Sequence, residues 1–253
     1  AVLYPGQVQA LCRHGRCRLA PITRLQHLGR PVGRSPAHPD PHEGADQVAL
    51  VHNAGALSAT RQMSPQGTEL TVASQVVGPF LLTSLLLPLL QSTAQGSAPT
   101  RVLTMSSGGM YASVLRVADL QMGDEYKGSE QYARAKRAQV TLNEMWAQRT
   151  SGSEVVFQAM HPGWADTPGV RDSLPTFRKV VGPLLRSPQQ GADTMVWLAA
   201  DDGEPIASTG KFWLDRHQRS IHKLPNTRSS DTPAKRQALW DWVAAAAGLT
   251  AGA

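Results

Sequence analysis

A chain of 253 residues, 41% hydrophobic and 17% charged, carries enough apolar material for a sizeable core and fits one α/β domain over residues 1–253. Its formal charge of +6 is concentrated in Arg13, Arg16, Arg18, Arg24, Arg30 and Arg34 and in Arg216, Arg219, Lys223 and Arg228; neither cluster has interleaved aromatics or finger spacing, which argues for a solvated basic surface and against nucleic acid. Cys12 and Cys17, in CRHGRC with His14 between them, make neither a disulfide framework nor a closed zinc site, so a reducing, cytoplasmic compartment with no metal is expected.

Residues 1–46 are rich in Arg, Pro and His, and GRSPAHPDPHEG suits neither buried strand nor helix, so this segment reads as irregular. HLGRPVGRS holds Gly29 and Gly33 but has no apolar strand before it and no helical pattern after it. From residue 47 onward apolar runs alternate with helical patterns. VALVHNAGAL begins as a strand and ends in a turn, SPQGTELTVASQVVGPFLLTSLLLPLL is long and helix-like, and TRVLTMSSGG is a strand running into a Gly/Ser turn. Next come a helix through YARAKRAQVTLNEMWAQR, a strand through EVVFQAM, the loop HPGWADTPGV and a helix through SPQQGADTMVWLAA, started by Ser187 and Pro188. The strand GKFWLD leads into a basic tail, residues 216–253, with a terminal helix around RQALWDWVAAAA. The run FLLTSLLLPLL is shorter than the roughly 20 residues a membrane span needs, and is expected to be a buried helix; no signal peptide precedes the chain.

Strands apolar at nearly every position, separated by helices, predict a doubly wound, mostly parallel α/β sheet of the Rossmann-like kind. Ligands then bind outside the carboxyl ends of the strands, which directs attention to Asn53-Ala54-Gly55, Ser106-Ser107-Gly108 and His161-Pro162-Gly163. In QYARAKR, Tyr132 and Lys136 stand four apart and share a helix face. A neighbouring cation would favour phenolate and make Tyr132 a general acid or base, with Ser107 bonding the substrate oxygen. Each residue also has a plain structural reading: Gly55, Pro162 and Gly163 as turn residues, Ser107 as a capping hydroxyl, Thr167 as a cap before Pro168, and His161 as a packed ring.

Taken in order, Asn53-Ala54-Gly55, TMSSGG, Tyr132 with Lys136, and Pro162-Gly163 followed by Thr167 resemble the short-chain dehydrogenase/reductase family over residues 47–215. The resemblance implies NAD- or NADP-dependent hydride transfer at a carbonyl or alcohol carbon. It makes Tyr132 the proton donor, Ser107 the orienting hydroxyl, and Lys136 both the cation that lowers the tyrosine pKa and a holder of the nicotinamide ribose. Asn53, Ala54, Gly55, Pro162, Gly163 and Thr167 would flank the cofactor. Residues 164–186 would form a flap over an apolar substrate, with Trp164, Leu174, Phe177 and Val180, and residues 80–90 would suit a homodimer face as well as a core.

Two departures from the family pattern stand out. Gln75 occupies the place of an asparagine that the family often uses, so a relay water held there would be displaced. The Thr-Gly-x-x-x-Gly-x-Gly turn that binds the cofactor pyrophosphate does not occur in the sequence, and only 52 residues precede Asn53. The first strand-helix unit is therefore expected to be incomplete. The alternative function is a degenerate relative without catalysis that acts as a binding or interaction module.

Overall fold

The computed structural model describes residues 8–13, 16–21, 48–94, 98–165 and 185–249, the first two stretches as backbone. Its sheet runs in the order β2-β1-β3-β4-β5-β6-β7. The strands β3 (Ala49–His52), β4 (Thr100–Met105), β5 (Val155–Met160) and β6 (Lys211–Leu214) pair in parallel. Alternate residues on these strands serve opposite layers. Leu50, Val102 and Phe157 join one apolar cluster, while Val51, Leu103 and Met160 join another. Both faces must therefore be covered, and this explains the unbroken apolar runs.

On the first face lie α1 (Leu70–Thr93) and α2 (Gly128–Arg149), which contribute Val72, Val76, Phe80, Ala135, Leu142 and Trp146. The second face is covered by α3 (Pro188–Ala200), through Met195 and Leu198. Ser187 caps α3 in a reciprocal box with Gln190, and Pro188 sits where its missing N–H costs nothing. After the short α4 (Pro225–Ser229), α5 (Pro233–Ala246) brings Leu239 and Val243 onto the first face, where Trp240 meets Phe80 and Trp146 edge-on. The doubly wound, Rossmann-like architecture expected from the apolar runs is the one observed.

Three local expectations are corrected. Residues 80–90 are not a buried helix: Phe80, Thr83 and Leu90 face the sheet, but Leu85 and Leu89 are 64% and 61% exposed. The run continues a helix that begins at Leu70, and its 24 residues are long and apolar enough, by length and composition alone, to cross a membrane. The tail after β6 is not a plain basic linker. Asp215 and Arg216, at φ 54° and 57°, make a two-residue hairpin to β7 (His217–Gln218). That turn ordinarily selects Asn-Gly; here ion pairs from Arg186 to Asp215 and from Arg216 to Asp193 hold it. Residues 1–46 are not irregular throughout, since β1 (Val8–Arg13) and β2 (Arg16–Pro21) form an antiparallel hairpin with Cys12 opposite Cys17. β1 pairs antiparallel with β3, so the family's parallel first strand is not what flanks Ala49–His52.

Candidate functional site

The carboxyl ends of the parallel strands gather most of the candidate residues. Asn53, Ala54 and Gly55 follow β3 directly, Ser106 and Ser107 follow β4, and His161, Pro162 and Gly163 follow β5. Ser107 adopts extended backbone and caps a short 3-10 helix (Gly108–Ala112), accepting from the Gly109 N–H at 3.2 Å. Ser106, by contrast, is buried and donates to the Lys136 carbonyl at 3.2 Å, which fixes the serine turn against α2. Gly163 lies at φ 72°, a left-handed backbone that favours glycine, and the Arg186 guanidinium packs against it in the space a Cβ would need. Thr167, Leu174, Phe177, Val180, Gly29 and Gly33 lie outside the described residues; Trp164 is within them and 52% exposed.

Ser107, Tyr132 and Lys136 come together as the helix spacing anticipates. Ser107 lies near enough to the Tyr132 phenol to act on its proton affinity. Lys136 Nζ lies 5.3 Å from the tyrosine ring centroid and donates to the Met105 carbonyl at 2.9 Å. The electrostatics differ from the sequence-based expectation. Burial raises the Tyr132 pKa above its ordinary value, Ser107 opposing it, and no lowering by Lys136 accompanies these. The reason is that the lysine is itself desolvated: it is 2% exposed and its pKa falls to about 7. Near neutrality it is charged only part of the time.

Several residues that shape the site were not singled out from sequence. Arg137, completely buried, donates to the carbonyls of Ser113 (3.0 Å), Ile221 (2.8 Å) and Met110 (2.8 Å), tying the segment after Ser107 and the tail to α2. Its position next to Lys136 was the only available signal. His52, at the end of β3, bonds Thr83 across 2.8 Å, and burial lowers its pKa to about 4. His161 packs as expected, stacked on Phe212 with its Nδ1 accepting from the Gly163 N–H at 3.1 Å; burial, then Lys223, lower its pKa to about 4. Both imidazoles are neutral at pH 7.

The residues fit one half of a dinucleotide. A buried lysine and a phenol on one helix face, beside open turns after three parallel strands, suit a nicotinamide and its ribose. The phosphate half has no counterpart among the described residues, because β3 is flanked by an antiparallel hairpin and not by a strand leading through a glycine turn into a helix. Among those residues no group of three His, Cys, Asp or Glu could hold a metal.

No family model matches the chain. It is 41% identical over 191 residues to human Dehydrogenase/reductase SDR family member 12, covering 75% of this chain and 58% of that protein. Mouse Retinol dehydrogenase 14 is 30% identical over 199 residues, covering 76% and 56%. The chain thus spans a little over half the length of these curated relatives. A solved structure of an uncharacterized protein from Mycobacterium paratuberculosis superposes with a TM-score of 0.57 at 21% identity, over 82% of this chain and 69% of that one, and shares the fold.

Proposed function

The chain belongs to the short-chain dehydrogenase/reductase family, and from that premise we propose that it is an oxidoreductase using NAD or NADP on a carbonyl or alcohol carbon, with Ser107, Tyr132 and Lys136 as its catalytic set. The observation that carries this reading is the placement of Lys136 Nζ 5.3 Å from the Tyr132 ring centroid, on a helix packed through Ser106 against the strand-end turn that holds Ser107.

In this reading Lys136 and Tyr132, with Asn53, Ala54, Gly55, Pro162 and Gly163 on the strand-end turns, would hold the nicotinamide end, and the family pattern assigns Thr167 to it as well. When bound, the nicotinamide supplies the hydride chemistry; the protein supplies orientation and the proton. Ser107 and Tyr132 would each offer a hydroxyl to a carbonyl oxygen bound there. Tyr132, held protonated by burial, gives its proton to that oxygen in reduction and takes it back in oxidation. The phenolate that forms needs a positive neighbour, and Lys136 provides one while it is protonated, below about pH 7.

For substrate, the reading favours apolar aldehydes, ketones or alcohols. Trp164 stands half-exposed beyond the end of β5, and two similar mouse and human proteins are named for retinol. A cytoplasmic location belongs to the same reading, supported by the packing of Phe80, Thr83 and Leu90 of α1 against the sheet, and the exposed Leu85 and Leu89 suit a homodimer face.

A second reading, a family member that keeps the catalytic residues without turnover, is favoured by the absence of the glycine-rich motif from the sequence. Titration of the 253-residue chain with NADPH and then NADH, followed by nicotinamide fluorescence, separates the two. Saturable binding, with carbonyl-dependent oxidation of the nucleotide that Tyr132→Phe removes, is expected of the oxidoreductase. No binding of either nucleotide at millimolar concentration sinks that reading and leaves the second.

A further inference from the structure

The helix α1 contains a fault whose repair ties three parts of the site together. In an α-helix the carbonyl of Gln75 would accept from the N–H of residue 79, but that residue is Pro79, which has none, and whose ring crowds the same carbonyl. The backbone responds with a π-turn over Ala73–Val77, in which the Gly78 N–H reaches back five residues to the Ala73 carbonyl. The Gln75 carbonyl is then bonded from a different helix: Gln139, on α2 and three residues beyond Lys136, donates to it through Nε2 at 2.6 Å. The Gln75 side chain turns the other way and donates through Nε2 to the Ala56 carbonyl at 2.6 Å. Both glutamines are buried, at 0% and 5% exposure for Gln75 and Gln139. Gly55 lies so close over this amide that a Cβ on it would stand 2.8 Å from Gln75 Oε1.

We propose that Gln139 and Gln75 are positioning residues, a two-amide clamp that sets the loop Asn53-Ala54-Gly55-Ala56 at a fixed distance from Tyr132 and Lys136, and so governs affinity for the nicotinamide nucleotide. The cofactor part of this inference rests on the oxidoreductase reading above; the clamp itself does not. The loop needs such an anchor, because Asn53, Gly55 and Ala56 are exposed and belong to no strand or helix. Gln75 therefore has a role for which asparagine is one methylene too short: its extra length carries the amide to Ala56. The same arrangement gives Pro79 a function. By withholding an N–H it leaves a carbonyl that α2 bonds through Gln139, so α1 and α2 cannot slide past one another without losing the bond.

The test has two readouts on Gln139→Leu and Gln75→Leu, with Tyr132→Phe as the control. The first is backbone 15N relaxation of residues 53–56 in protein without nucleotide. Order parameters of about 0.85 are expected in the parent and in Tyr132→Phe, falling below about 0.6 in both glutamine variants. The second is binding and turnover: the NAD(P)H Kd should rise about tenfold in both glutamine variants, the loss of one buried hydrogen bond, while kcat at saturating nucleotide falls less than twofold. A loop that stays ordered in both variants overturns the proposal, as does a kcat that collapses while Kd holds. If Gln139→Leu does not fold, Gln139→Glu keeps the shape and loses the donor when ionised, and is read in the same way. A parent chain that binds no nucleotide refutes the oxidoreductase reading, and the order parameters still decide the clamp.

Discussion

The two flanks of the sheet are built by different rules. From β3 to β6 the strands are parallel and buried on both faces, and Asn53, Ser107 and Gly163 follow the carboxyl ends of β3, β4 and β5 on one edge of the sheet. On the other side of β3 lies the antiparallel β1–β2 hairpin, and among the described residues of that flank no helix N-terminus faces a phosphate. In the proposed reading, reaction chemistry and cofactor phosphate binding are thus separable in this fold: the first would come from strand ends and one helix, the second from a strand-turn-helix unit that the hairpin does not supply.

The largest expected effect lies wholly on the parallel flank. Tyr132→Phe should lower turnover by about 10²–10⁴-fold with the circular dichroism spectrum unchanged; retained turnover would remove the phenol from the chemistry. In the parent, the reduction rate should fall as the pH rises through about 7, where Lys136 loses its proton. A rate that is flat from pH 6 to about 9 would show that the lysine charge does not matter.

Arg137→Met tests how far the serine turn and the tail depend on α2. Three buried carbonyls lose their donor, and a loss of about 3–5 kcal/mol in unfolding free energy by urea titration is expected. A loss below about 1 kcal/mol would mean that the turn is held by packing alone.

Acid should act on the same flank. His52 and His161, with pKa values lowered to about 4 from 6.5, remain neutral when folded while the unfolded chain takes up protons. Stability is therefore full above about pH 6.5 and is lost as the pH falls toward 4, by about 3 kcal/mol per histidine. Lys136 works in the same direction at higher pH: its charged form is disfavoured in the fold, so its burial costs most below about 7 and least above about 10.5. Thermal melts of His52→Asn and His161→Asn across pH 4–7 would show a flattened acid limb, and an unchanged limb would place the acid sensitivity elsewhere.

The smallest effect should come from the other flank. The β1–β2 hairpin lies at one edge of the sheet and joins the rest of it through β3 alone. Removing residues 1–21 should shift the urea midpoint less than Arg137→Met does; a larger shift would show that the hairpin is part of the core structure.

The sequence alone determined the parallel sheet, the order of its helices and the shared helix face of Tyr132 and Lys136. Strand burial and the four-residue spacing are local consequences of side-chain pattern, and pattern is legible along a chain. It did not reveal the charge state of Lys136, because a pKa depends on how much water packing removes, and here the removal outweighs the pull of cation on phenol. The hairpin at Asp215 and Arg216 was hidden for a similar reason: its positive φ angles are held by Arg186 and Asp193, about 20 to 30 residues away in sequence. Gln75 shows the division most clearly. Its place ahead of Gly78 could be read from sequence, but that its carbonyl would be bonded by Gln139 and its amide spent on Ala56 was decided only when two helices and a loop were brought within 2.6 Å of one another.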